Sequence, residues 1–263
     1  MKKPSTLSLL FLIAGTSVLA QTDITTTIDP SRAAAAMRIA IPFPQVPPPV
    51  SADVIREGFF APLTRDLAGS GVFAIAPLPP NIPIGPDLAK RSGAHVYLKL
   101  NVSQEGETFL IEARLLDTTG AQVFGKRYRG ASGALSRIGH TLANDLVRTI
   151  NGRPGIFLSQ IAFASNRDGN WEIYLMDWDG SNQRRITRHG ALSILPSWAP
   201  DNERMVYTSF ARGTSDMYVI SRQGGGRIRV HTGLGLNTSA TFSPISNEIA
   251  FVGSLNGNPD IYV

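Results

Sequence analysis

The sequence predicts an α/β domain, a mixed sheet packed on helices, followed by an all-β propeller of which about two and a half blades are present. Three observations carry that reading. Residues 37–153 alternate short apolar runs with helix-patterned segments punctuated by Pro and Gly, whereas residues 154–263 consist of short β-rich runs and turns. Within the second part, "IAFASNRDGNWEIYL" from Ile161, "MVYTSFARGTSDMYV" from Met205 and "IAFVGSLNGNPDIYV" from Ile249 align without gaps at intervals of 44 residues. "SWAP" at Ser197 and "TFSP" at Thr241 keep the same interval. A four-strand unit of ~40–45 residues is the period of a propeller blade, and such a unit needs neighbours to bury its faces.

The first 20 residues, "MKKPSTLSLLFLIAGTSVLA", combine two lysines, an apolar run from Leu7 to Leu19 and small or aliphatic residues before Ala20. This is an export signal cleaved after Ala20, too short for the roughly 20 apolar residues of a membrane span. The mature protein is expected outside the cytoplasm, without direct membrane insertion. Residues 21–36 begin as a β-branched alternation with Ile24 and Ile28 on one face of an extended chain. Such a segment suits addition to another protein's sheet edge; a loose leader is the alternative.

In the α/β domain, "MRIAIPF" reads as a strand halted by "VPPPV", since proline cannot donate to a ladder. "SADVIREGFF" and "APLTRDLAGSG" read as helix, with Pro62 as an early helical residue and Gly69 or Gly71 at the end. "VFAIAPL" is a buried strand and "GPDLAKRSGA" a short helix. "HVYLKLNVSQ", "TFLIEARLLDT" and "AQVFGKRYRG" are three strands joined by turns. A last helix places Ile138, Leu142, Leu146 and Ile150 on one face and stops at "NGRPG".

The propeller count does not close. Two full repeats and two strands of a third reach Val263, whereas closed propellers have about four to eight blades, so the expectation is that the chain reads on past Val263.

The stretch "SNRDGNWEIYLMDWDG", residues 165–180, gathers Asp168, Glu172, Asp177 and Asp179 and resembles the start of a calcium loop. The complete pattern needs an acid where Ile186 stands. A step of 44 residues sorts these positions. Gly169 becomes Gly213 and Gly257, Glu172 becomes Asp216 and Asp260, and Tyr174 becomes Tyr218 and Tyr262. Asp168 becomes Arg212 and Asn256, Asp177 becomes Ser221, and Asp179 becomes Gln223. The kept positions are structural, the kept acid being suited to accept hydrogen bonds from turn amides; "DWDG" and "QGGGR" read as hairpin turns.

No other chemistry stands out. Cysteine is absent, which removes disulfides and thiolates. His95, His140, His189 and His231 lie far apart, with His95 and His140 expected at the surface or as satisfied structural residues. There is neither a nucleophile elbow nor a phosphate loop. Trp171, Trp178 and Trp198 suit packing or a sugar groove. The formal charge of +5 is scattered, and two units of it, Lys2 and Lys3, belong to the leader, which gives no nucleic-acid signature.

The β-branched N-terminal segment, the junction "RIGHTLANDLVRTINGRPGIFLSQIAFAS" from Arg137 and blades carrying "DIY" and "SP" together resemble the TolB family, periplasmic propeller proteins of the Tol-Pal system. The resemblance covers the whole mature chain. It implies a six-bladed type of propeller and a periplasmic, monomeric, non-enzymatic adaptor without cofactor or metal. Such an adaptor links TolA to the peptidoglycan-associated lipoprotein Pal, supporting outer-membrane integrity and cell division. By that resemblance, Thr22, Asp23, Ile24, Thr25, Thr26, Thr27, Ile28 and Asp29 bind the TolA C-terminal domain. Pal docks on the mouth loops "RHGALSIL" and "TGLGLNTS", through His189, Leu192, Ile194, Leu236, Asn237 and Thr238. The chain departs from the family pattern at Leu236, where a histidine is usual, and in the turns "APDN" and "SPIS". The competing reading is an exported propeller enzyme acting on glycans or peptides, with paired carboxylates at the mouth.

Overall fold

Among the described residues, side-chain alternation and Pro/Gly punctuation resolve, in the computed structural model, into five strands and four α-helices followed by ten further strands. The structure describes residues 36–263 apart from 81, 231 and 256. The expected export signal (1–20) and the expected partner-binding segment 22–29 lie outside the described residues.

The first sheet has the order β2-β1-β3-β4-β5. Strands β1 (Met37–Ala40), β2 (Phe73–Ile75) and β3 (Val96–Glu105) run parallel, while β4 (Thr108–Asp117) and β5 (Gln122–Ala131) add antiparallel. The sheet is therefore mixed. Along β3, Val96, Leu98, Leu100 and Val102 are buried while Lys99, Asn101 and Ser103 are exposed, the two-residue period of a sheet packed on one face. The buried face meets α1 (Ala52–Ile55), α2 (Ala61–Gly69) and α4 (Leu135–Asn151); the short helix α3 (Pro86–Ser92) packs near β1 and β3.

One helix differs from the sequence reading. Residues 52–69 are continuous helix in which Arg56–Phe60 form a π turn, so Pro62 stands well inside it rather than near its start. The Ala61 amide reaches back five residues to the Arg56 carbonyl. A widened turn of this kind accommodates proline, which brings no amide and whose ring crowds the preceding turn. The stripe survives the irregularity, with Ile55, Phe59, Leu63 and Leu67 all fully buried. On α4, Leu135, Ile138, Leu142 and Leu146 meet that stripe, and Gly139 sits where the two helices approach most closely. Gly152, in a left-handed conformation, ends α4.

Among the described residues the propeller part forms three sheets. These are β6 (Gln160–Ser165), β7 (Glu172–Asp177) and β8 (Arg184–Arg185); β9 (Ser193–Trp198), β10 (Arg204–Ser209), β11 (Asp216–Ser221) and β12 (Ile228–Val230); and β13 (Leu236–Phe242), β14 (Ile249–Leu255) and β15 (Asn258–Tyr262). The expected frame, with each unit starting at the strand of Ile161, shifts by one strand. The "SWAP" strand β9 pairs with β10, the strand after it, so one sheet among the described residues has four strands and its two neighbours have three. The step of 44 residues fixes the period but not which strand opens a sheet. Ile173, Leu175, Met205, Tyr207 and Tyr218 pack the first sheet on the second. Ala199, Val206, Met217, Ala240 and Phe242 pack the second on the third.

Candidate functional site

Glu172 opens β7 and is fully buried, a position a carboxylate holds only when well supplied with donors. The amides of His189 and Gly190 donate to Oε1 at 2.7 and 2.9 Å, and Arg185 Nη2 does so at 2.8 Å. The Thr187 hydroxyl donates to Oε2 and accepts from the Ile173 amide at 2.8 Å. Burial alone raises the Glu172 pKa; the hydrogen bonds of Thr187, Gly190, Arg185 and His189 outweigh it and hold the carboxyl below its usual range. The kept acid thus accepts from amides of the following inter-sheet loop and sets the shape of "RHGALSIL".

Within that loop, His189 lies parallel to the Tyr207 ring at 5.8 Å and its Nε2 is 2.7 Å from the Tyr207 hydroxyl. Arg227 Nη1 donates to Nδ1 at 2.6 Å, so the neutral imidazole carries its proton on Nε2. Burial and the Arg227 guanidinium push the His189 pKa down, which keeps the ring neutral at pH 7. Leu192 is exposed and Ile194 half-buried. In the second loop Leu236 is exposed, while Asn237 is buried. Asn237 accepts from the Thr232 hydroxyl and donates to the Leu234 carbonyl at 3.1 Å, so its amide holds its own loop together. Thr238 contacts Thr208 across the sheets at 3.4 Å.

The mouth residues proposed from sequence therefore divide. Leu192, Ile194 and Leu236 offer apolar surface; His189 and Asn237 brace the loops that carry them. Sequence reasoning missed Leu195 and Phe210, which are exposed at the same end, and gave Trp171 only to packing or sugars. Their common location follows from Ser193 N donating to the Trp171 carbonyl and Phe210 N to the Leu192 carbonyl, both at 2.9 Å. A large apolar residue beside a turn is the signal that would have found them.

The opposite end of β7 meets the α/β domain. Trp178 Nε1 donates to Asp66 Oδ1 at 3.1 Å and its ring packs edge-on against Phe157. Asp66, on α2, is fully buried and also takes a 2.6 Å hydrogen bond from His140 Nδ1, on α4. Asp179 pairs with Arg65 at 2.6 Å and lies 3.6 Å from His140 Nε2. Burial raises the Asp179 pKa, but Ser181, His140 and Arg65 together bring it below the usual carboxylate range. His140 is buried and satisfied.

The acids of residues 165–180 are all engaged by protein donors. Asp168 accepts from the Tyr174 hydroxyl at 2.6 Å, and Asp177 accepts from Gln160 and Asn182 at 3.1 and 2.7 Å. "DWDG" forms a turn, with the Gly180 amide on the Asp177 carbonyl and Gly180 at φ 84°. No group of three metal-ligating side chains occurs among the described residues. Added calcium is expected to leave the melting temperature unchanged, in the parent chain and in Asp177→Asn with Asp179→Asn alike. A calcium-dependent rise lost in the double variant would restore the metal reading.

Residues 147–263 match the family model described as the TolB beta propeller domain. This part of the chain is similar to the TolB propeller family. The Protein TolB homolog of Chlorobaculum tepidum is 27% identical over 207 residues, covering 76% of this chain and 48% of that protein. The Tol-Pal system protein TolB of Desulfosudis oleivorans is 31% identical over 172 residues, covering 65% of this chain and 39% of that protein. The chain thus spans less than half the length of these two TolB relatives. The crystal structure of TolB from Acinetobacter baumannii superposes with a TM-score of 0.69 at 23% identity, covering 86% of this chain and 57% of that one, a likeness of fold. The α/β domain followed by TolB-type blades is common to both.

Proposed function

We propose that the chain serves as a periplasmic adaptor of a Tol-Pal-type assembly, binding a TolA C-terminal domain through residues 22–29 and a Pal-type lipoprotein at the propeller mouth. Its role is to support outer-membrane integrity and constriction at division, and binding rather than catalysis fulfils it. The observation that carries the reading is the Glu172 anchor. A fully buried carboxylate with four hydrogen-bond donors holds the first mouth loop in one shape, and a preformed surface binds at lower entropic cost than a loose one. Leu192, Leu195, Phe210 and Leu236 supply the apolar contact, and the TolB names of the relatives support the system.

Deletion of residues 22–29 is expected to abolish binding of a TolA C-terminal domain in titration calorimetry, with the melting temperature unchanged. Undiminished affinity in the deletion variant would reject the assignment of that segment. At the other site, Leu192→Asp with Leu236→Asp is expected to weaken Pal binding at least about 10-fold, on the scale of lost apolar anchors.

A further inference from the structure

We propose that Ser136, His140 and Asp66 form a nucleophilic triad at the domain junction that hydrolyses short-chain carboxylic esters. This reactivity is additional to the adaptor role and independent of it. The hydroxyl of Ser136 lies 3.2 Å from His140 Nε2, and His140 Nδ1 lies 2.6 Å from Asp66 Oδ2. Ser136 and His140 are one turn apart on the same face of α4, while Asp66 comes from the neighbouring helix α2. The order nucleophile, imidazole, buried carboxylate is the arrangement that activates a serine, and it is recognised by geometry rather than by sequence position.

The supporting contacts fit that role. Trp178 Nε1 holds the second oxygen of Asp66 at 3.1 Å, which fixes the carboxylate toward Nδ1 and leaves Nε2 as the acceptor for the serine proton. His140 is 5% exposed, and its ring nitrogens are met on both sides, by Ser136 and by Asp66. Other serine and threonine hydroxyls on α4 behave differently: Thr141 and Thr149 donate to the carbonyls of Arg137 and Asp145, four residues back, whereas the Ser136 hydroxyl faces the imidazole. Asp179 Oδ2, 3.6 Å from Nε2 and paired with Arg65, stabilises the imidazolium that forms when the proton arrives.

The triad opens on a space that takes a small substrate. A cavity of about 340 Å³ is lined by Ala134, Ser136, Arg137, His140, Phe157 and Leu158 among others. Phe157 and Leu158 give an apolar wall for a short acyl group. The first turn of α4 borders the cavity with no side-chain cap, and its positive end together with the exposed Arg137 guanidinium favours the oxyanion of a tetrahedral intermediate. In the first half-reaction Ser136 Oγ bonds to the ester carbonyl carbon as its proton passes to His140 Nε2. The C–O bond to the alcohol then breaks and the alcohol leaves with that proton. In the second half, water attacks the acyl-serine and gives its proton to His140, and Ser136 recovers a proton as the carboxylic acid is released. The sum is ester plus water to acid plus alcohol, with no further reactant.

The test is fluorophosphonate labelling of the full chain, with p-nitrophenyl acetate hydrolysis measured in parallel. Labelling is expected at one site, located by peptide mass spectrometry at Ser136, and Ser136→Ala is expected to remove it and to lower hydrolysis roughly 100-fold or more. Ser136→Cys keeps a nucleophile in place. Because the chain otherwise has no cysteine, its single thiol is expected to react with iodoacetamide faster than free cysteine at pH 7. Failure of Ser136 to label in the folded parent chain, hydrolysis unchanged in Ser136→Ala, or an unreactive thiol in Ser136→Cys would each overturn the proposal.

Discussion

Glu172→Ala is expected to lower the melting temperature by roughly 6–12 °C, from a loss of about 3 kcal/mol at ~2–4 °C per kcal/mol. The variant leaves the amides of His189 and Gly190, the Thr187 hydroxyl and the Arg185 guanidinium without their common acceptor. Removing one partner of a buried ion pair costs more than the pair itself contributes, because the stranded groups keep their desolvation penalty. The same carboxylate makes stability depend on pH. Its folded pKa lies below the unfolded value of about 4.3, so the stabilisation is fully present above that value and is lost as pH falls through the folded pKa. Glu172→Gln should therefore flatten the acid limb of a melting-temperature profile between neutrality and pH 3. A change under 2 °C in the alanine variant at pH 7 would count against the anchor.

Gly139→Val is expected to destabilise the α/β domain by about 3 kcal/mol, near the upper end for overpacking. A Cβ at residue 139 meets the Phe59 carbonyl oxygen at 2.8 Å and the Leu63 amide nitrogen at 3.3 Å. Both are backbone atoms of the helix opposite, so relief requires α2 and α4 to move apart and open the contacts of Leu63, Leu67 and Leu142. Gly133→Ala is the control, since a Cβ there meets nothing within 4 Å. Denaturant melts of the two variants should differ in midpoint by several times their error, and equal midpoints would show that the helices yield freely.

Much of the fold was legible because it rests on periodicity. The stripe of Ile138, Leu142 and Leu146 and the 44-residue spacing of Phe163, Tyr207 and Phe251 are statements about which face is buried, and burial selects side chains directly. The π turn before Pro62 was hidden, since one extra residue in a turn leaves the apolar stripe almost intact. The assignment of β9 to the later sheet was hidden as well, because a repeat has no marked beginning. At the site, Glu172 stood out by comparison within the chain. The junction of Asp66, His140 and Trp178 did not, since it joins residues 74 and 112 positions apart that carry no local pattern.

Strand β9 bulges at Leu195 and strand β13 at Ser239, where the backbone takes φ 55° and 54° and the pairing with the next strand slips. Those positions are again 44 residues apart, yet one holds a leucine and the other a serine. A left-handed conformation costs a non-glycine residue roughly 1–2 kcal/mol, so both sheets carry the same local cost at the same step of the repeat. The irregularity therefore belongs to the backbone and not to the side chain that occupies it: a bulge bends its strand and increases the local twist, and the edge strands β9 and β13 take that bend at equivalent positions.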